Sequence, residues 1–374
     1  LNRVQTLDLP ASGGAFVPQG AMPQAMALML NVDNHADGEI SGYAEATGKL
    51  VASAQAAGAW YQAGGELAPG YMDGTIVNAG LISGHAVANA TELLGQNEQL
   101  LPEQAQAFGV MQVAAGDIDT ELTNTGTIEA EAEAAWAAAT AIAIGSLGPF
   151  NDQDYSDEES KAVVTNSGGL IWAGVKQDDG TEGGSPIQRG NAINTRGLSE
   201  PQMGSTHVGS GAIYAAANAV EVNLEGGLAG HGKEHALKQI SNELKDEFGG
   251  ETSMGFVYGD IQLNFEDVIN VVDGVTLFDG VINKPEVVGY TAGGEFDSTL
   301  NINNHGTLVM LQNETDGASR GYVNRLHIGN NGETGSDRVE TDCSLVYELT
   351  RDHENDGENG TYAYSQIFAD TADI

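Results

Sequence analysis

The sequence predicts an all-β protein, a parallel β-solenoid (β-helix) with inserted loops and one short helix. Three observations lead there. A unit of β-formers, an Asn-x-Gly and an apolar run recurs along the chain. Its runs alternate with period two, as strands with one buried face do. The chain also holds 51 glycines, only 9 prolines and 18% charged residues. That suits many short strands joined by glycine turns and is too apolar for a disordered chain. The alternative within the class is a β-sandwich, whose strands also alternate. The fixed order of asparagine, glycine and apolar residues favours the solenoid.

Residues 1–30, which include "PASGGAFVPQGAMPQAMALML", read as a cap or docking segment. A solenoid end leaves unpaired backbone groups that need cover. Residues 31–345 read as the solenoid. "LNVDNHADGEISGYAEATG" from Leu30 is a loose copy of the unit, and "TIVNAGLISGHAVANAT" (Thr75–Thr91) a close one. "TELLGQNEQLLPEQAQAFGV" (91–110) does not alternate clearly and reads as a short helix or a corner loop.

The stretch "LTNTGTIEAEAEAAWAAATAIAIG" (122–145) sets propensity against pattern. Alanine and glutamate favour helix. Yet Ile128, Ala130, Ala132, Ala134, Trp136, Ala138, Ile142 and Ile144 share one parity, and Glu129, Glu131 and Glu133 the other. The related copies "AVVTNSGGLIWAGV" (Ala162–Val175) and "NINNHGTLVMLQNETDG" (from Asn301) carry β-branched residues and leucine after the corner. The stretch is therefore expected to be strand, with alanine where the interior is tight. Weaker copies are "NAINTRGLS" from Asn191, "VEVNLEGGLAG" from Val220 and "LHIGNNGETG" from Leu326.

The corner residues are Asn78, Asn124, Asn166, Asn194, Asn304 and Asn330, with Gly80, Gly126, Gly168, Gly197, Gly306 and Gly332. Glycine takes positive φ freely, and asparagine tolerates αL while bonding its own backbone. Stacked copies would set asparagine above asparagine, with amides bonded along the stack. The step varies, from 46 residues between Asn78 and Asn124 to 26 between Asn304 and Asn330. Such steps fit solenoid repeats with loops inserted at corners.

"KEHALKQISNELKDEF" (233–248) is the predicted helix. Ala236, Leu237, Ile240, Leu244 and Phe248 share a face, and the following glycine pair ends it. Residues 346–374 pass from an acidic loop to "TYAYSQIF", a terminal strand that caps its own stack or pairs with another molecule.

"TNTGTIEAEAEAAWAAATAIAIG", "VTNSGGLIWAGV" and "VNAGLISGHAVANA" resemble the β-helical passenger domains of bacterial autotransporters (type V secretion). Those carry degenerate N-x-G-x-I repeats followed by small alternating residues. The resemblance covers about residues 31–340 and is one of style. It implies a secreted or cell-surface protein. It also implies a C-terminal translocator barrel, which these residues lack and which is expected to have been removed.

Net charge narrows the partners. With 53 acidic against 14 basic residues the formal charge is −39. No basic stripe exists to neutralise phosphates, so nucleic acid is excluded as a partner. Anionic membrane surfaces repel such a chain, and no apolar run reaches spanning length, so no membrane insertion is expected. Divalent cations, cationic partners or a halophilic origin suit the charge. The single cysteine, Cys343, reads as a small core residue.

Candidate chemistry is sparse. "HGKEH" (His231–His235) matches the H-x-x-E-H of inverted zinc peptidases, with Glu314 as a nominal third ligand. It opens the predicted helix rather than lying within it, so exposed histidines are the better reading. Two acidic loops are candidate calcium sites, "DNHADGEI" with Asp33 and Asp37, and "DHENDGENG" with Asp352, Glu354 and Asp356. Alternating acidic oxygens before a glycine wrap a hard cation, although both loops lack the closing glutamate. Carbohydrate chemistry would need paired carboxylates beside aromatics. Asp117 with Asp119, Asp152 with Asp154, and Trp60, Tyr61, Tyr71 and Trp172 are the available residues. No G-x-S-x-G, P-loop or dinucleotide fingerprint occurs. Asn89, Asn313 and Asn359 head glycosylation sequons.

These readings lead to a non-catalytic extracellular structural or adhesive protein, a candidate fibre subunit. It would partner itself, a cell surface or a polysaccharide. The rival is a polysaccharide-processing lyase or hydrolase, or a tailspike-like protein, on the same fold.

Overall fold

The computed structural model describes residues 26–48, 52–64, 70–90, 103–146, 162–176, 187–195, 197–199, 212–216, 220–225, 254–263, 267–272, 274–283, 298–303, 306–313, 317–329, 344–347, 349–350 and 363–373. They form a parallel β-solenoid, three strands to the coil. The first coil is β1 (Met26–Asn34), β2 (Glu39–Gly48) and β3 (Ala52–Ala63). The second is β4 (Gly70–Asn78), β5 (Leu81–Ala90) and β6 (Glu103–Ala114), and the third β7 (Ile118–Asn124), β8 (Thr127–Glu133) and β9 (Trp136–Ser146). The fourth holds β10 (Ala162–Ser167), β11 (Leu170–Lys176), the short β12 (Gln188–Arg189) and β13 (Asn191–Asn194). A hairpin of β14 (Gly197–Ser199) and β15 (Ala212–Ala216) follows. The fifth coil is β16 (Val220–Glu225), β17 (Met254–Tyr258) and β18 (Asp260–Gln262). The sixth is β19 (Val268–Val272), β20 (Gly274–Asp279) and β21 (Val281–Ile282). The last coils use β22 (Thr299–Ile302), β23 (Gly306–Met310), the pair β24 (Gln312–Asn313) and β25 (Gly317–Ala318), then β26 (Arg320–Ile328). They finish with β27 (Ser344–Tyr347), the pair β28 (Leu349–Thr350) and β29 (Ala363–Tyr364), and β30 (Gln366–Asp373).

Equivalent strands pair in parallel and build three walls. Wall one runs β1, β4, β7, β10, β16, β19, β22, β26 and β30. Wall two runs β2, β5, β8, β11, β17, β20, β23 and β27. Wall three runs β3, β6, β9, β13, β18 and β21. It then merges with wall one, because β26 pairs with β21 by its start and with β22 by its end. The step along wall one is 44 residues from Met26 to Gly70, 58 from Ala162 to Val220 and 26 from Thr299 to Arg325. Insertions at corners therefore leave the ladder intact.

The disputed stretch is strand, in β7, β8 and β9, broken only by bends at Thr125–Gly126 and Ala134–Ala135. Ile128, Ala130 and Ala132 are fully buried while Glu129, Glu131 and Glu133 face outward. Cross-strand packing and ladder bonds override the helical preference of alanine and glutamate. The alternation does not run on to Trp136, however. A bend at Ala134 and Ala135 resets the parity, and Trp136 is exposed. Of residues 91–110, expected to be a short helix or a corner loop, 91–102 lie outside the described residues and the rest are strand. From Glu103 they belong to β6, with buried Ala105 and Ala107 alternating with half-buried Gln104 and Gln106.

Alanine fills the interior because walls two and three almost touch. A Cβ on Gly84 would lie 1.9 Å from the Phe108 carbonyl oxygen, and one on Gly42 2.0 Å from that of Ala57. Farther along, wall two is buried on both sides. Ile171, Val257, Phe278 and Met310 enter the main core. Their neighbours of opposite parity, Trp172, Phe256, Leu277 and Val309, form a second cluster. This two-sided burial explains the unbroken apolar run "GLIWAGV".

The corners are asparagine ladders. Asn34 donates to Asn78 at 2.7 Å, Asn78 to Asn124 at 2.8 Å and Asn124 to Asn166 at 2.8 Å. Each amide also donates to a backbone oxygen one coil on: Leu81, Thr127 or Leu170. In the fifth coil the place after Asn166 is taken by Leu224, then Val271 and Ile302. A second ladder takes over one residue earlier, where Asn301 donates to Asn270 and Asn270 to Asn223.

Several expectations change in detail. Asn34 belongs to the first ladder, whereas Asn194 sits in wall three between Ala143 and Gln262. Asn304, Asn330, the predicted helix 233–248, the H-x-x-E-H segment, Glu314 and Cys343 lie outside the described residues. Among the described residues Asn283 alone of the non-glycines has positive φ, so the corner asparagines are not αL. Their side chains point into the stack instead, and the glycine allows close approach. A Cβ on Gly126 would lie 2.2 Å from the Gly80 oxygen. In the fourth coil it is Gly169, not Gly168, that precedes the register partner of Thr127. Among the described residues no helix is long and apolar enough to cross a membrane.

Candidate binding surface

The outer face of wall two in the first three coils carries the densest chemistry among the described residues. Inward positions are Ile40, Ile82 and Ile128 and their period-two partners. The opposite parity must face out, and register sorts it into columns. Ser41, Ser83 and Glu129 make one column; Tyr43, His85 and Glu131 the next; Glu45, Val87 and Glu133 the third. Glu39 lies at the start of β2.

Contacts follow the columns. Tyr43 meets the His85 ring edge-on, with centroids 5.4 Å apart, and donates its hydroxyl to Glu45 at 3.0 Å. That bond raises the Tyr43 phenol above its ordinary range. His85 Nε2 is enclosed and makes no hydrogen bond. Burial raises the Glu129 carboxyl above the usual range, Glu131 and Glu39 add to this, and His85 opposes it. Like charges and desolvation both disfavour the ionised form. The acidic face ends at the fourth coil, where Lys176 pairs with Glu133 at 2.9 Å.

Beyond Lys176 the same wall turns apolar. Trp172 stacks on Tyr258 at 5.7 Å with planes 15° apart. Arg189 on β12 donates its Nε to Asp279 at 2.8 Å, and its terminal nitrogen contacts the same oxygen. Both side chains of this pair are almost fully buried. The Tyr258 hydroxyl contacts the Ile187 carbonyl oxygen. Strand β12 thus lies in wall two, antiparallel to the end of β11, and is tied to the sixth coil.

The sequence-selected residues are dispersed. Asp33 and Asp37 flank the first corner, both exposed, with Asp33 3.5 Å from His35. Asn34 between them turns its amide into the stack. Among the described residues no group of three or more His, Cys, Asp or Glu is arranged to hold a metal ion. Asp352, Glu354 and Asp356 lie outside the described residues, as do Asp152 and Asp154. Trp60 and Tyr71 are partly exposed, Trp60 edge-on to Phe108, whereas Trp172 is buried. His85 and the glutamates of β8 match no catalytic or metal-binding spacing in the sequence; their alternation marks only a strand with one buried face. A signal existed. Counted from the corner asparagine, His85 and Glu131 hold the same place, 78 + 7 and 124 + 7.

No protein-family model matches the chain, and neither a curated protein nor a solved structure matches it.

Proposed function

We propose that the chain is a non-catalytic structural or adhesive protein of the cell exterior, of the autotransporter-passenger kind, that binds through its flat walls. The observation that carries this reading is the continuity of the ladders, from β1 to β30 in wall one. Each coil gives the next its hydrogen-bond partners and apolar floor. The result is a stiff body whose wall two is repeated and acidic outside over the first three coils and turns apolar from the fourth. Secretion and surface location follow from the resemblance in repeat style. Calcium is the proposed cofactor, at Asp33 and Asp37 and at Asp352, Glu354 and Asp356. Thermal unfolding with calcium and with a chelator tests that part. A rise in midpoint with calcium supports it through binding linkage, and identical midpoints remove it.

The test of the reading itself uses the purified chain on polysaccharide-coated surfaces and in solution with the same polymers. Retention on the surface with polymer length unchanged is the expected result. Depolymerisation would overturn it in favour of the second reading, a polysaccharide-processing enzyme. One observation favours that rival. Glu129, with its raised carboxyl, lies beside Glu131 and His85, and perturbed acids gather at catalytic sites. The rival predicts that Glu129→Gln abolishes polymer cleavage while retention persists.

A further inference from the structure

The described part of the first three coils bears no arginine or lysine between Met26 and Ser146. Its wall two exposes Tyr43 and Glu45, backed by His85 and Glu131. The other end of the stack is different. On β26 and β30, Tyr322 and Phe368 stack face to face, centroids 5.1 Å apart and planes 9° apart. Phe368 is 47% exposed. Arg320, two residues before Tyr322 and therefore on the same face, is exposed and forms no ion pair among the described residues.

We infer that this aromatic–arginine patch docks a second copy of the chain through the acidic face of the second copy's wall two. The inference deepens the structural reading above and rests on it. Two features of the patches match. Both are aromatic pairs spanning two rungs, at 5.1 Å and 5.4 Å, so their repeats along the stack agree. Their charges are opposite and equally placed. Arg320 lies two residues before Tyr322, and Glu45 two residues after Tyr43. When the two faces meet with strands antiparallel, the rings overlie and Arg320 lies over Glu45. Repulsion between the two acidic bodies acts against the contact. At physiological salt it is screened beyond about 8 Å, so the local pairing decides. The contact is heterologous: each copy offers a different patch to the next, so it propagates into open chains rather than closing as a dimer.

Sedimentation velocity at physiological salt over a concentration series tests this, on the full chain. Wild type is expected to shift to larger species with concentration. Arg320→Glu should weaken association about tenfold, as should Glu45→Arg, each by removing one exposed pair and adding a like-charge contact. A mixture of the two variants should recover the loss wherever copies alternate, because both kinds of mixed junction then carry opposite charges. Unchanged circular dichroism shows that the stack is intact in each variant. Wild type that stays monomeric throughout, or association indifferent to both substitutions, overturns the inference. If such a monomer is still retained on polysaccharide-coated surfaces, the adhesive reading survives and only the self-docking fails.

Discussion

Asn124 shows what a single residue does in this fold. It is fully buried, accepts from Asn78 and donates to Asn166 and to the Leu170 oxygen. Asn124→Ala leaves a donor and an acceptor unsatisfied in the interior. It is expected to cost about 3 kcal/mol, within the penalty for orphaned buried groups. Asn270→Ala, in the half-exposed second ladder, lets water replace the lost bonds and should cost about 1 kcal/mol. Urea unfolding of the two variants checks the ratio; equal losses would mean the inner ladder is not buried as described. Glu129 offers a test by pH. Its carboxyl titrates higher in the folded chain than in the unfolded one, where the ordinary value is 4.5. The unfolded chain therefore releases this proton first. Folding is penalised as pH rises through the interval between the two values, and the penalty is full above it. Glu129→Gln is expected to stabilise at neutral pH, with the gain vanishing below the ordinary carboxylate range. A gain independent of pH would contradict the cause given.

At the scale of elements, the strands obey packing rather than propensity. Gly84 lets β5 lie against β6, and Gly84→Val would drive a branched side chain into the Phe108 carbonyl. A loss of about 3 kcal/mol or more is expected, typical of overpacking a rigid site, and thermal unfolding reads it. Strand β12 is held to the sixth coil by the buried Arg189–Asp279 pair. Arg189→Ala removes the cation beside the buried Asp279 carboxylate and should cost about 3–5 kcal/mol. The double variant with Asp279→Ala should cost clearly less than the sum of the singles, which a double-mutant cycle measures. Much of this level was legible in the sequence. The alternation of Ile128 to Glu133 and the Asn78–Asn124–Asn166 ladder followed from period and spacing alone. Asn34 was missed because its glycine, Gly38, comes four residues later rather than two. The handover to Asn223, Asn270 and Asn301 was hidden because those residues sit one place earlier than the ladder they replace. The acidic column of wall two needed register, since no single strand shows that Tyr43, His85 and Glu131 are neighbours.

At the scale of the whole molecule, the account rests on one geometric claim: segments far apart in sequence lie one rung apart in space. The outward column Asn31, Thr75, Glu121, Val163, Glu221, Val268, Thr299 is fixed by register. Spin labels at Asn31 and, in turn, Glu221, Val268 and Thr299, with Cys343 replaced by serine, measure it directly by dipolar spectroscopy. Separations four, five and six rungs long should centre near about 19, 24 and 29 Å, rising by about 4.8 Å each time. Distances that fail to rise in even steps, as those of a folded-back sandwich would, contradict the solenoid.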